Sequence, residues 1–168
     1  MDRYITAFCI CLGCYTSFAQ TPGELLLQGY EARNEMAQKS LLAGYPARNI
    51  GPTVQGGRVV DIDVNRNNTN EYYVAYASGG LFKTSNNGVT FEPIFDEYGA
   101  LGIGDIALAP SNNEIIYVGT GEKNSSRSSY AGTGVYKSED SGTSWVHLGL
   151  HDSQHISRVV VHPDDPNT

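Results

Sequence analysis

The residues of this chain best suited to chemistry gather in two polar stretches. Residues 120–133 hold Glu122, Lys123, Asn124, Arg127 and Tyr130 among serines and glycines, and residues 149–155 hold His151, Asp152 and His155. Such a set supplies donors and acceptors for a glycan or a peptide. Glu122 with Asp152 would give the two carboxylates, one acid and one base or nucleophile, that glycoside hydrolysis requires. His151 and His155 stand four apart, which suits two metal ligands on a helix. Their surroundings read as loop, so they are taken as surface histidines, and neither a metal nor a cofactor is expected. Arg58 opens an apolar stretch and points either into a central channel or to an aspartate such as Asp61 or Asp105. The competing reading for both loops is a solvated surface whose residues bond one another.

The elements that carry these loops come from a repeat. Lys83-Thr84-Ser85-Asn86-Asn87-Gly88-Val89-Thr90-Phe91 returns as Lys137-Ser138-Glu139-Asp140-Ser141-Gly142-Thr143-Ser144-Trp145. Upstream, Asp61-Ile62-Asp63-Val64 aligns with Asp105-Ile106-Ala107-Leu108, and Tyr73-Val74-Ala75 with Tyr117-Val118-Gly119, both 44 positions apart. The Lys83 and Lys137 stretches are 54 apart, so the second copy carries about ten extra residues, within 119–134. A third copy opens at Arg158-Val159-Val160-Val161-His162-Pro163. Self-similarity of this kind marks a repeat architecture.

Each copy reads as four short strands. In the first they are Val59–Val64, Tyr72–Tyr76, Gly80–Thr84 and residues 90–95, separated by turn chemistry at 65–70, Ser78-Gly79 and Asn86-Asn87-Gly88. Asn-Gly between strands is a hairpin signal because both residues tolerate positive φ. Four strands in about 45 residues is the spacing of a propeller blade. The fold class is therefore all-β, an incomplete β-propeller of two four-stranded blades plus the first strand of a third. A ring needs about four to eight blades, so the chain reads as the N-terminal piece of something longer.

The Ser-x-Asp-x-Gly-x-Ser-Trp of the second copy closely resembles the Asp-box, or BNR repeat, of sialidase-like β-propellers. Its residues have mechanical roles. The Asp or Asn side chain bonds the turn's own backbone, Gly takes the left-handed position, and the aromatic packs between sheets. Thr84, Asn86, Gly88 and Phe91, with Ser138, Asp140, Gly142 and Trp145, are thus structural, and Asp140 is not nominated as catalytic.

Residues 1–19 have the pattern of a secretory signal peptide: Arg3, an apolar run over 5–12, and Ser17-Phe18-Ala19 with small residues before a cleavage point. The protein is expected to be exported. Leu12-Gly13-Cys14 also fits a lipoprotein box, with Cys11 where Leu is usual, which would make Cys14 a lipid anchor. Cys9, Cys11 and Cys14 are the only cysteines, so the mature chain would have no disulfide framework and no thiol nucleophile. Residues 20–46 read as a helical leader, with Thr21-Pro22-Gly23-Glu24 as a capping box and Gly44 as its stop. No transmembrane segment is expected. The net charge of −7, without a Lys/Arg cluster, removes the electrostatic footprint of nucleic-acid binding.

Residues 48–168 resemble the large exported sortilin-like propeller proteins of bacteria, often labelled "glycosyl hydrolase, BNR repeat". The resemblance rests on Arg48-Asn49-Ile50-Gly51-Pro52, Gly57-Arg58-Val59, Tyr73-Val74-Ala75-Tyr76-Ala77-Ser78-Gly79-Gly80 and Gly119-Thr120-Gly121-Glu122-Lys123-Asn124-Ser125-Ser126-Arg127. It implies a longer chain with more blades. Similar two-propeller xyloglucanases carry a catalytic Asp in the first blade, and Ala77 occupies the matching position here, with no proton to give or take. The leading expectation is a non-catalytic propeller that binds a protein or polysaccharide at its loop face. The alternative is a glycoside hydrolase whose other carboxylate lies elsewhere.

Overall fold

The computed structural model describes residues 21–45, 57–125 and 129–168. The expected signal peptide, its three cysteines, the Arg48-to-Pro52 stretch and Arg127 lie outside the described residues. Eight strands form two four-stranded antiparallel sheets. The first holds β1 (Val59–Val64), β2 (Tyr72–Tyr76), β3 (Gly80–Thr84) and β4 (Glu92–Pro93), and the second β5 (Ile103–Ala109), β6 (Asn112–Thr120), β7 (Val135–Ser138) and β8 (Val146–Gly149). Spatial order equals chain order in both.

Register sorts the side chains. Asp61, Ala75 and Leu81 are cross-strand partners on one face of the first sheet, and Ile62, Val74, Phe82 and Pro93 on the other. The first face is the packed one. Tyr73, Ala75 and Leu81 are fully buried with Phe95 against Ile106, Leu108, Ile116, Val118 and Tyr136 of the second sheet. This single cluster holds the two sheets together, because apolar area removed from water is the main favourable term in folding.

The inner strands are also pinned by hydrogen bonds that repeat. Asp61 Oδ2 accepts the Ile106 amide at 3.2 Å, and Asp63 Oδ2 accepts that of Leu108 at 2.8 Å. One copy further on, Asp105 Oδ2 accepts the Val159 amide at 2.8 Å. Tyr73 and Tyr117 are likewise equivalent, each lying under a lysine: Lys83 Nζ is 5.5 Å and Lys137 Nζ 5.8 Å from the ring centre.

The two corners share one bonding scheme. Thr84 Oγ1 accepts the Gly88 amide at 2.9 Å, and Asn86 Oδ1 the Thr90 amide at 2.9 Å. Ser138 Oγ accepts Gly142 N at 2.8 Å, and Asp140 Oδ1 accepts Ser144 N at 2.8 Å. Asn87 and Ser141 are left-handed (φ 57° and 58°), followed by Gly88 and Gly142 (84° and 90°). Trp145 then turns inward. Its indole nitrogen donates to the Ile94 carbonyl at 2.9 Å, and its ring meets Phe95 edge-on at 5.2 Å. Phe91 instead packs edge-on to Tyr72, 6.0 Å between centres.

Three expectations shift. The strand over 90–95 is only Glu92–Pro93, because Phe95 leaves the ladder to be buried among Tyr98, Tyr136 and Trp145. No strand forms at residues 158–163. The His162 amide does reach the Thr168 carbonyl at 2.7 Å, as Asn65 reaches Glu71 at 3.0 Å, so the hairpin turn closes in both. A strand needs a ladder partner, and residues 163–168 are spent on that turn. Finally, the helix α1 spans Gly23–Lys39, with Pro22 as a cap lacking any side-chain bond. It stops at Ser40, whose hydroxyl accepts the Leu42 amide at 3.1 Å, and not at Gly44. Gly23 is buried, and a Cβ there would collide with the His151 carbonyl. Leu25, Met36, Leu41 and Leu42 remain exposed. Among the described residues no helix is long and apolar enough to cross a membrane.

The Asp140 carboxyl is held below the usual carboxylate range, chiefly by the Ser144 hydroxyl and amide. A depressed folded-state value means its stabilisation is present above the ordinary carboxylate pKa and lost as pH falls through the folded value. Asp140→Ala is expected to cost about 1 kcal/mol at neutral pH. Asp140→Asn, which copies Asn86 of the first corner, should cost less and weaken the fall in stability at acid pH. Urea unfolding from neutral pH down to about pH 3 measures both.

Candidate functional site

The sequence-expected residues lie on three connections, and backbone bonds draw these together. Residues 120–134 leave β6 and return to β7. Gly121 N donates to Gly102 O at 2.7 Å, Glu122 N to Tyr130 O at 3.0 Å, Gly132 N to Gln154 O at 2.6 Å and Ile156 N to Thr120 O at 3.0 Å. Thr120 Oγ1 donates to Gly134 O at 2.7 Å and accepts Thr133 N at 2.8 Å. Gly121 is left-handed (φ 91°), and a Cβ there would strike the Gln154 carbonyl. Leu150 and Gln154 are non-glycine residues with φ of 60° and 56°, a conformation that persists only where its surroundings fix it. The inserted loop is thus a built rim between β5 and the turn after β8.

Charge on this rim is arranged in pairs. The Glu122 side chain is fully buried and ion-paired with Arg58, whose own side chain is 54% exposed. The loop thus brings a buried carboxylate, the costlier group to leave unpaired, to Arg58 at the start of β1. Lys123 Nζ lies 2.6 Å from Asp105 Oδ1, and Arg158 Nη1 3.9 Å from the same oxygen. Asp105 is 1% exposed, and its second oxygen is the one that holds Val159. Asp61 is pushed above the usual carboxylate range, first by burial and then by the charge of Asp105, against its bond from Ile106.

The remaining candidates stay apart from this network. Asp152 is exposed and faces His151 Nε2 at 3.3 Å, so it is not paired with Glu122. Residues His151–Ser153 form a 3₁₀ turn, not an α-helix, and His155 Nδ1 is buried without a hydrogen-bond partner. Among the described residues no group of three His, Cys, Asp or Glu could hold a metal ion. Asn124 and Tyr130 are exposed, Tyr130 at 56%. Ala77, at the end of β2, is fully buried.

Two features escaped the sequence reading. The Lys123–Asp105–Arg158 set joins residues from two repeat copies, and the advance signal was the alignment of Asp105 with Asp61. The other is an open groove of about 560 Å3 between β4 and the second corner, lined by Lys83, Glu92, Ile94, Asp96, Tyr98 and Ser141 among others. Burial, and then the neighbouring Glu97, raise the Asp96 carboxyl above its ordinary range.

No family model matches the chain, and no curated protein matches it. Among solved structures it is similar to an ancestral GH74 enzyme: 24% identity over 58% of this chain and 13% of that one, TM-score 0.49. It is also similar to a GH74 enzyme of Niastella koreensis, at 22% identity over 55% of this chain and 14% of that one, TM-score 0.43. The GH74 xyloglucanase of Xanthomonas campestris gives 19% identity over 54% and 15%, TM-score 0.41. The chain spans only 13–15% of the length of these proteins.

Arg58→Ala leaves Glu122 buried without its cation and is expected to cost about 2 kcal/mol. Adding Glu122→Gln should restore part of that loss. Urea denaturation of the two single variants and the double variant measures the coupling.

Proposed function

We propose that this chain is the opening arc of an exported β-propeller that binds a polysaccharide at its loop rim without cleaving it. Its Asp-box corners act as staples. One observation carries the reading: the rim's buried carboxylates are already committed. Glu122 is held by Arg58, and Asp105 by Lys123 and the Val159 amide. A carboxylate held by a fixed cation or a backbone amide is not placed to pass a proton to a leaving group. What faces solvent beside them is a binding set: the Tyr130 ring, the Asn124 amide and half of the Arg58 side chain. A flat aromatic with a few placed donors suits a pyranose ring, apolar on its faces and polar at its edge.

A glycoside hydrolase is the second reading. It is favoured by the full burial of Glu122, whose Oε2 has no hydrogen-bond partner among the described residues. It would take its other acid from outside the rim described here, since Ala77 has none to offer.

Affinity electrophoresis against a panel of soluble polysaccharides separates the two. Binding should be retarded by at least one polymer and weakened about tenfold by Tyr130→Ala, the size of one aromatic contact. Release of reducing ends that Glu122→Gln abolishes would overturn the binding reading.

A further inference from the structure

The ion pairs of the rim share an orientation that other pairs in the molecule lack. Arg58 is 54% exposed over a Glu122 side chain that is fully buried, and Lys123 is 22% exposed over Asp105 at 1%. Arg158 also reaches Asp105, at 3.9 Å. In the ion pairs that do not involve these two carboxylates, among the described residues, the acid keeps 17% or more of its side chain in water. Three cations thus stand outside two buried carboxylates, and the charge these pairs turn to solvent is positive. Asp61, beside Asp105, spends its oxygens on the Ile62 and Ile106 amides at 2.9 and 3.2 Å. The chain as a whole carries −7, so a cationic edge is not a by-product of composition. The edge lies at strand ends: Arg58 precedes β1, and Lys123 lies between β6 and β7. Units of this repeat pack through their sheet faces, as the first sheet packs on the second. Further units packed in that way leave the strand ends open.

We propose, resting on the polysaccharide reading above, that the ligand of the rim is an anionic polysaccharide, one whose sugar rings carry carboxylate or sulfate groups. A guanidinium presents a planar fork of donors that suits an oxyanion, and it stays charged at every working pH. Buried Glu122 holds the Arg58 side chain in place, so less side-chain freedom is lost when a ligand binds. Tyr130 stands beside this pair: its carbonyl accepts the Glu122 amide at 3.0 Å, and its ring is 56% exposed. The sugar ring lies against Tyr130 and its charged substituent against Arg58. Lys123 and Arg158 supply the attraction for the charge on a neighbouring sugar. The acidic remainder of the chain does not forbid this, because exposed charges more than about 8 Å apart are largely screened at physiological ionic strength.

Titration calorimetry of the full chain with polygalacturonate, a sulfated galactan and a neutral glucan tests it. At least one of the two charged polymers should bind about tenfold or more tighter than the neutral one. That advantage should shrink as sodium chloride rises from about 0.05 to 0.5 M. Which charged polymer binds tells carboxylate from sulfate. The double variant Arg58→Gln with Glu122→Gln leaves the net charge unchanged but removes the outward cation, and should weaken the charged polymer about tenfold. Arg158→Gln, at an exposed position, serves as a second variant should the double variant fail to fold, with a loss of about threefold. A neutral glucan bound as tightly as the charged polymers overturns the proposal and leaves the polysaccharide reading standing. Binding of a charged polymer that neither salt nor these variants weaken overturns it too. A chain that binds none of the three brings down both.

Discussion

A carboxylate on the first strand of one repeat copy accepting a backbone amide from the opening segment of the next copy is the constraint on which the architecture turns. Asp61 does this to Ile106, and Asp105 does it to Val159. Hydrophobic packing between sheets is strong but non-directional, so alone it would let them slide. A buried carboxylate that needs a donor fixes their offset, because a slip of one residue would leave both groups unsatisfied. The core of Tyr73, Leu81, Phe95 and Trp145 forms around that fixed offset.

The same aspartate links architecture to the rim. One oxygen of Asp105 holds the following segment, and the other faces Lys123 and Arg158. Charges that a search for chemistry would single out are thereby absorbed into the scaffold. Tyr130 and Asn124 of the same loop stay exposed. The pair of half-exposed Arg58 and buried Glu122 ties the loop to the start of β1.

Local pattern carried far along the chain. The bounds of β1, β2 and β3 are those that alternation and turn residues indicate, since a half-buried strand imposes a period of two on its own sequence. The corner side chains were legible for a similar reason: their bonds close within five or six residues. The rim was legible only as a collection of polar residues. Which carboxylate Arg58 meets depends on a loop 64 positions away, and no periodicity encodes that.

The sequence by itself determined a repeated four-stranded unit, its strand order and its corner chemistry, because each is set by contacts between near neighbours in the chain. The tertiary structure alone decided that β4 stops at Pro93 so that Phe95 can be buried, and that residues 158–163 lack a ladder. It also decided that the rim charges pair Arg58 with Glu122 and Lys123 with Asp105. These outcomes follow from competition between distant groups for the same buried space and the same few hydrogen-bond partners. Such a competition is resolved only when the sheets meet.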